Sequence, residues 1–226
     1  MSTRLNRNPL VVAISAGLAL SAPVVTQAAC PSPVSDTILI PTGTTLNETL
    51  SGATSAAVCT LSSSGSLVVQ SGATFNTEVN LTSAFGSAVQ TGPVGSASSA
   101  NFIEIDGDMN VEFLSGSGTG VLHSSLNTIQ SVSVSGTLDA VGVPGQETWS
   151  GMTLAGAVNG SVTIDGSVRA GQTDQGVGFY GQTRGMALVD SGLGTEVVIG
   201  LTGEVTGAPA ILLSGRGAQG VVTSGT

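Results

Sequence analysis

The chain repeats a short phrase in which alternate positions hold two aliphatic residues, a glycine and a further aliphatic residue. Alternation of this kind predicts a β-strand with one buried face, and the glycine allows a bend that a Cβ atom would hinder. The copies occupy residues 103–109, 132–138, 162–168 and, more loosely, 197–205. Their glycines lie 29, 30 and 37 residues apart. A period of this length is typical of a solenoid, which is first of all a surface and only in some cases an enzyme.

A second phrase keeps step with the first and consists of a glycine followed within three residues by a leucine. It is found at Gly120–Leu122, Gly151–Leu154 and Gly185–Leu188, and residues 210–215 resemble a further copy. Two strand phrases per unit predict an all-β fold, a right-handed parallel β-helix in which each coil packs on the next. Charged residues make up 8% and aromatic residues 3% of the chain, which suits a narrow aliphatic interior. An antiparallel sandwich with regularly spaced strands is the alternative that remains open.

Residues 1–28 have the composition of a secretory signal peptide. Two arginines give a positive start, Pro9–Val25 is apolar, and small residues precede a cleavage point after Ala28. An uncleaved membrane anchor is disfavoured because the apolar run is short and interrupted. A lipoprotein acylated at Cys30 is disfavoured because the leucine usual before such a cysteine is missing. We therefore predict export through the inner membrane, to the outer membrane, the cell surface or the medium.

The charge balance limits the kinds of partner. Removing the signal leaves three arginines, Arg169, Arg184 and Arg216, against 14 acidic residues, and the chain has no lysine. A surface this acidic repels phosphate backbones and anionic lipid. We therefore expect no nucleic-acid partner.

Cys30 and Cys59 are the two cysteines of the chain. An even pair in an exported protein predicts a disulfide, although two buried thiols that never pair are the alternative. We expect residues 29–66 to form an N-terminal cap stapled by this bond and residues 67–226 to form the β-helical repeats. A further phrase begins at Val222 and stops after a few residues, so we expect the chain to be a fragment or the product of a truncated gene.

Few residues indicate catalysis. His123 is the only histidine, and its Val-Leu-His-Ser-Ser context favours a solvated side chain at a strand edge over a catalytic base. Without lysine the chain has no P-loop, and it has no Gly-x-Ser-x-Gly elbow. We therefore predict that the protein is not an enzyme and has no cofactor.

Three carboxylates are the best remaining candidates for a chemical site. Glu104, Asp106 and Asp108 alternate along one strand phrase, which would bring them to one face, where a calcium ion or a sugar would find acidic ligands. A solvent-facing strand also needs polar residues for ordinary reasons, and Arg169 is the only basic residue in a position to complete such a site. These three acids are therefore kept as weak metal candidates, with no metal site predicted.

Taken together, several of these features resemble the passenger region of Gram-negative autotransporters. They are the signal that ends just before Cys30, the second cysteine at residue 59 and the alternating glycine–leucine and valine–glycine units. The resemblance implies a signal peptide, a β-helical passenger and a C-terminal membrane barrel that delivers the passenger to the surface. The barrel is not matched within residues 1–226, so this translocator partner is expected to be missing from the chain. No catalytic motif of the protease or lipase passengers is matched.

The resemblance implies a surface stalk or adhesive scaffold without catalysis, whose partners are unidentified molecules on a host or neighbouring cell. The alternative is a polysaccharide-active β-helix enzyme that uses the acidic face of Glu104, Asp106 and Asp108. A third reading is a filament that assembles from copies of the chain.

Overall fold

In the computed structural model the chain folds as a parallel β-solenoid. Every strand pairing among the described residues is parallel, so the predicted β-helix is confirmed and the antiparallel sandwich is excluded. These residues include no helix long and apolar enough to cross a membrane. The right-handed sense of the coil stays a prediction, and the signal sequence with Ala28 lies outside the described part. The described residues are 30, 36–62, 64–92, 99–123, 127–142, 149–155, 157–172, 183–189, 196–206, 211–214 and 221–223.

The strands form three ladders that run along the stack, which we call faces 1, 2 and 3. Face 1 consists, in spatial order, of β1 (Thr37–Ile40), β4 (Ser66–Val69), β6 (Ser99–Ile105), β8 (Thr128–Val134), β12 (Ser161–Ile164), β15 (Glu196–Ile199) and β18 (Val221–Thr223), and the short β11 (Ala157–Val158) also pairs with β8.

Faces 2 and 3 share two long strands, β5 (Thr74–Thr91) and β7 (Asp108–His123), whose first halves belong to face 2 and second halves to face 3. Face 2 adds β2 (Thr45–Gly52), β9 (Thr137–Gly142), β13 (Ser167–Gln172) and β16 (Glu204–Thr206). Face 3 adds β3 (Ala56–Leu61), β10 (Trp149–Leu154), β14 (Thr183–Val189) and β17 (Ile211–Ser214).

Aliphatic residues of the repeated phrase stand in register from coil to coil and fill the interior. In the copies at 103–109, 132–138 and 162–168 each of these side chains is buried, and burial of one such side chain is worth roughly 2 kcal/mol. The stack is therefore held by columns of like residues. Three of the columns are Ile103, Val132 and Val162; Ile105, Val134 and Ile164; and Met109, Leu138 and Val168.

The glycine of the phrase forms the corner between faces 1 and 2. The amides of Asp106 and Gly107 both donate to the carbonyl of Val69, at 2.8 and 3.0 Å. A Cβ atom at Gly107 would lie 2.4 Å from the Ala73 carbonyl oxygen of the preceding coil, which is too close for any side chain. The glycine is thus required by the close approach of two coils.

The corner is longer in the loose copy at 197–205 and also after β1 and after β4. Residues 41–44, 70–73 and 200–203 make four-residue turns, in which the last amide donates to the first carbonyl at 2.9 to 3.0 Å. Gly43 and Gly72 in two of these turns have φ of +75°, a conformation that favours glycine. Two added residues at the corner explain why the copy at 197–205 matches the phrase poorly. In the last described strand, β18, Val221 lies opposite Val197 and Thr223 lies opposite Ile199.

The predicted disulfide between Cys30 and Cys59 is present. It joins a residue that precedes β1 to the buried end of β3, where Cys59 has no exposed surface. The segment predicted as a cap also supplies β1, β2 and β3, which pair with β4 and β5. Residues 37–61 therefore form a coil of the solenoid at its N-terminal end.

Candidate functional site

The outer surface of face 2 carries a groove of about 460 Å³ across strands β2, β5, β7 and β9. Side chains alternate along each strand, so one residue in two points outwards. In-register pairing stacks these residues in columns, with about 4.8 Å between neighbouring residues of one column. Two adjacent columns of outward-facing residues line the groove, and the residues between them on β2, β5 and β7, namely Glu48, Thr77 and Val111, also border it. The first column is Asn47, Asn76, Asn110 and Asp139, and the second is Thr49, Glu78, Glu112 and Val141.

The asparagines of the first column form a ladder of side-chain hydrogen bonds. The Asn76 amide nitrogen donates to Asn47 Oδ1 at 2.8 Å, and the Asn110 amide nitrogen donates to Asn76 Oδ1 at 3.0 Å. Each amide has a donor and an acceptor, so an identical residue one coil away satisfies both. The ladder orients the three amides as one row along the groove.

The second column places two carboxylates beside this row. Glu78 and Glu112 are exposed and face each other across the β5–β7 pairing. In the first column, Asp139 of β9 follows Asn110 of β7, and Arg169 of β13 lies opposite Asp139 in register. The groove thus combines amide donors with carboxylate acceptors, a set of groups suited to hydrogen bonding with hydroxyl-rich molecules.

The repeated aliphatic and glycine phrases of the sequence do not identify this groove. Its signal is a three-residue pattern, Asn-x-Thr or Asn-x-Glu, which begins at Asn47, Asn76 and Asn110. The pattern lies just after each corner and contains few aliphatic residues. A search guided by aliphatic periodicity therefore misses it.

The three acids predicted to share a strand face are divided by a corner. Glu104 lies near the end of β6, Asp106 lies in the corner itself, and Asp108 begins β7 on face 2. The expectation that the three carboxylates share one face is therefore wrong, because Gly107 turns the chain between Asp106 and Asp108. Asp106 accepts a hydrogen bond from the Ser135 hydroxyl of the next coil. Across the described ranges, no three His, Cys, Asp or Glu side chains are grouped so as to hold a metal ion.

Glu104 and Asp106 remain neighbours and influence each other. Burial, a side-chain hydrogen bond with Asp106 and the negative charge of Asp106 raise the pKa of Glu104 above its ordinary value. The native state therefore binds the Glu104 proton more tightly than the unfolded chain does. This contribution to stability is fully present below the unfolded pKa and is lost as pH rises through the native pKa.

We therefore expect Glu104→Gln to raise the melting temperature at pH 7, because it removes a carboxylate that is unfavourable next to Asp106. The gain should disappear below about pH 4, where Glu104 is protonated in both states. Thermal unfolding followed by circular dichroism across this pH range measures it. Glu204→Gln is the control, since Glu204 is exposed and lies opposite Ser167. A gain that is the same at every pH would contradict the prediction.

His123 is buried in the interior and not solvated, so that sequence prediction is wrong. It ends β7 opposite Leu154 of β10 and has no exposed surface. Its Nδ1 lies 2.7 Å from the hydroxyl of the equally buried Thr91, and the ring tautomer sets which of the two donates. Asn127, also buried, donates from its side chain to the Thr91 carbonyl. The histidine thus takes a leucine position of the glycine–leucine phrase.

A double-mutant cycle is expected to show that Thr91 and His123 depend on each other. Thr91→Val should lower the free energy of unfolding by about 2 kcal/mol, because it removes a buried hydrogen-bond partner of the imidazole. Thr91→Val combined with His123→Leu should cost less than the sum of the two single changes, since both positions then match the aliphatic neighbours in their column. Urea unfolding of the four proteins measures the coupling, and simple additivity would contradict it.

Comparison of the chain with protein-family models, with curated proteins and with solved structures found no match.

Proposed function

We propose that the chain is the scaffold of an exported surface protein, built like the passenger of a Gram-negative autotransporter. It works by presenting its lateral faces to molecules outside the cell, and it catalyses no reaction. The observation that carries this proposal is the parallel stack, in which three ladders continue from coil to coil through the described residues. Each added coil makes such a stack longer while its cross-section stays the same, and elongation at constant width is what a stalk requires.

Two further observations support export. The Cys30–Cys59 disulfide is of the kind that persists in oxidising compartments, and the N-terminal segment has the pattern of a signal. The excess of acidic residues keeps a protein soluble outside the cell and disfavours nucleic acid as a partner. The groove of face 2 is the proposed contact area, and hydroxyl-rich molecules such as surface polysaccharides are the class that its amides and carboxylates fit.

Export is tested by expressing the full chain in a Gram-negative host and analysing the product by mass spectrometry. We expect a mature N-terminus at Ala29 and an intact disulfide in the fraction that has crossed the inner membrane. Ala28→Phe is the matched variant, because signal cleavage requires a small residue at this position, and it should leave the signal uncleaved. A full-length, reduced product in the cytoplasm would overturn the proposal.

Adhesion is tested by binding the mature protein to immobilised acidic and neutral polysaccharides, with and without calcium. Asn76→Ala should weaken binding, because Asn76 is the central rung of the amide ladder, whereas Asn159→Ala should not, because that exposed asparagine lies outside the groove. Release of shortened saccharides during the incubation would favour the alternative of a polysaccharide-active enzyme. Equal binding by both variants would remove the groove from the contact area.

A further inference from the structure

Among the described residues, the strands of the N-terminal coil form edges at the end of the stack. In face 2, β2 pairs with β5 on one side, and no strand of the described residues pairs with its other side. In the same coil, within the part of the chain that the structure describes, β1 pairs only with β4 and β3 only with β5. An edge of this kind is a template on which another chain can add a strand.

The inward side of β2 would favour such an addition, with one exception. Leu46 and Leu50 lie opposite the buried Phe75 and Val79, so they belong to interior columns. Both leucines are only partly buried, whereas their partners in β5 have no exposed surface. The apolar columns therefore reach the end of the stack partly uncovered.

The exception is Glu48, which stands between these two leucines. It lies opposite Thr77, and Thr77 lies opposite Val111, and both of these side chains face the interior with 3% and 1% exposure. In-register parallel pairing gives residues of one column the same direction. Glu48 is therefore an inward-pointing carboxylate in an otherwise small and mostly aliphatic column that continues to Ala140.

We propose that Glu48 prevents the N-terminal end of the solenoid from pairing with a second copy of the chain. The occupant that the edge fits is another β2 edge, related by a two-fold axis, so that the strands pair in antiparallel fashion about their middle. In that pairing the two Glu48 carboxylates meet in a space that the leucines would otherwise fill. Each carboxylate loses its hydration without gaining a partner of opposite charge, and the two repel each other. An inward-pointing charge on an edge strand is a known means of blocking such association.

The test is the assembly state of the mature protein, whose N-terminus is expected at Ala29, with Glu48 replaced by valine, the residue found two coils further along the column. Sedimentation velocity over a concentration series should show the wild-type protein as a monomer. Glu48→Val should associate at least about tenfold more tightly, with the sedimentation coefficient rising with concentration. Glu78→Val is the matched control: it removes the same charge from the exposed outer side of β5, which is not an edge strand, and it should stay monomeric.

A second variant separates charge from shape. Glu48→Lys keeps an inward charge of opposite sign and should remain monomeric, since two ammonium groups are as unfavourable there as two carboxylates. If Glu48→Val does not fold, as judged by its circular dichroism, Glu48→Thr copies the residue of the next coil and is expected to associate in its place. Association of the wild-type protein, equal association of Glu78→Val, association of Glu48→Lys, or a monomeric folded Glu48→Val would each overturn the proposal.

Discussion

Gly136→Ala is expected to lower the free energy of unfolding by about 3 kcal/mol, a large share of the roughly 5–15 kcal/mol that stabilises a typical native protein. A Cβ atom at this corner would lie 2.0 Å from the carbonyl oxygen of Gly107 and 2.7 Å from that of Asp106. Both obstacles are backbone atoms of the neighbouring coil, which cannot rotate away as a flexible side chain can. The coils must therefore separate locally, with loss of the hydrogen bond from Gly136 N to Ile105 O at 2.9 Å. Urea unfolding measures the loss.

Gly171→Ala provides the control for this effect. Gly171 lies in β13, and a Cβ added there meets no atom within 4 Å. The same chemical change should therefore alter the unfolding free energy by no more than about 0.5 kcal/mol. If the two variants unfold alike, the cost of an alanine at the corner does not come from contact between coils.

Reduction of the Cys30–Cys59 disulfide is expected to lower the free energy of unfolding by about 3.5 kcal/mol. The two residues are 29 apart in the sequence, and opening a loop of this size returns roughly that much conformational freedom to the unfolded chain. Unfolding of the mature protein in urea, with and without dithiothreitol, measures the difference.

The double variant Cys30→Ala with Cys59→Ala tests whether the bond itself is responsible. It should unfold near the midpoint of the reduced wild-type protein and should be insensitive to dithiothreitol. Cys59 is completely buried in β3, so a small additional loss from the missing sulfur atom is expected. Unchanged stability of the wild-type protein on reduction would mean that the first coil is held by its strand pairing alone.

The disagreements between sequence and structure have local physical causes. The Val-Leu-His-Ser-Ser context predicts a solvated His123 at a strand edge, yet pairing with β10 turns His123 and not Leu122 towards the interior. Since side chains alternate along a strand, an offset of one residue exchanges the buried and exposed positions. The prediction of one shared face for Glu104, Asp106 and Asp108 fails because a glycine in an alternating phrase is compatible both with a continuous strand and with a corner. Only the closeness of the Ala73 carbonyl to Gly107 distinguishes them.

The parallel β-solenoid, its aliphatic columns and its disulfide are predicted from the sequence and confirmed by the structure. These depend on patterns repeated at nearly constant spacing: when each coil has nearly the same length, like residues stack on like, and the column of Ile103, Val132 and Val162 follows from its spacing. The groove of face 2 and the inward direction of Glu48 were decided only by the tertiary structure. Both depend on which residues from coils about 30 positions apart become neighbours and on which side of the strand they face. Backbone pairing and close packing between coils set which residues become neighbours and which side of the strand they face. The residue types of a single strand do not predict either.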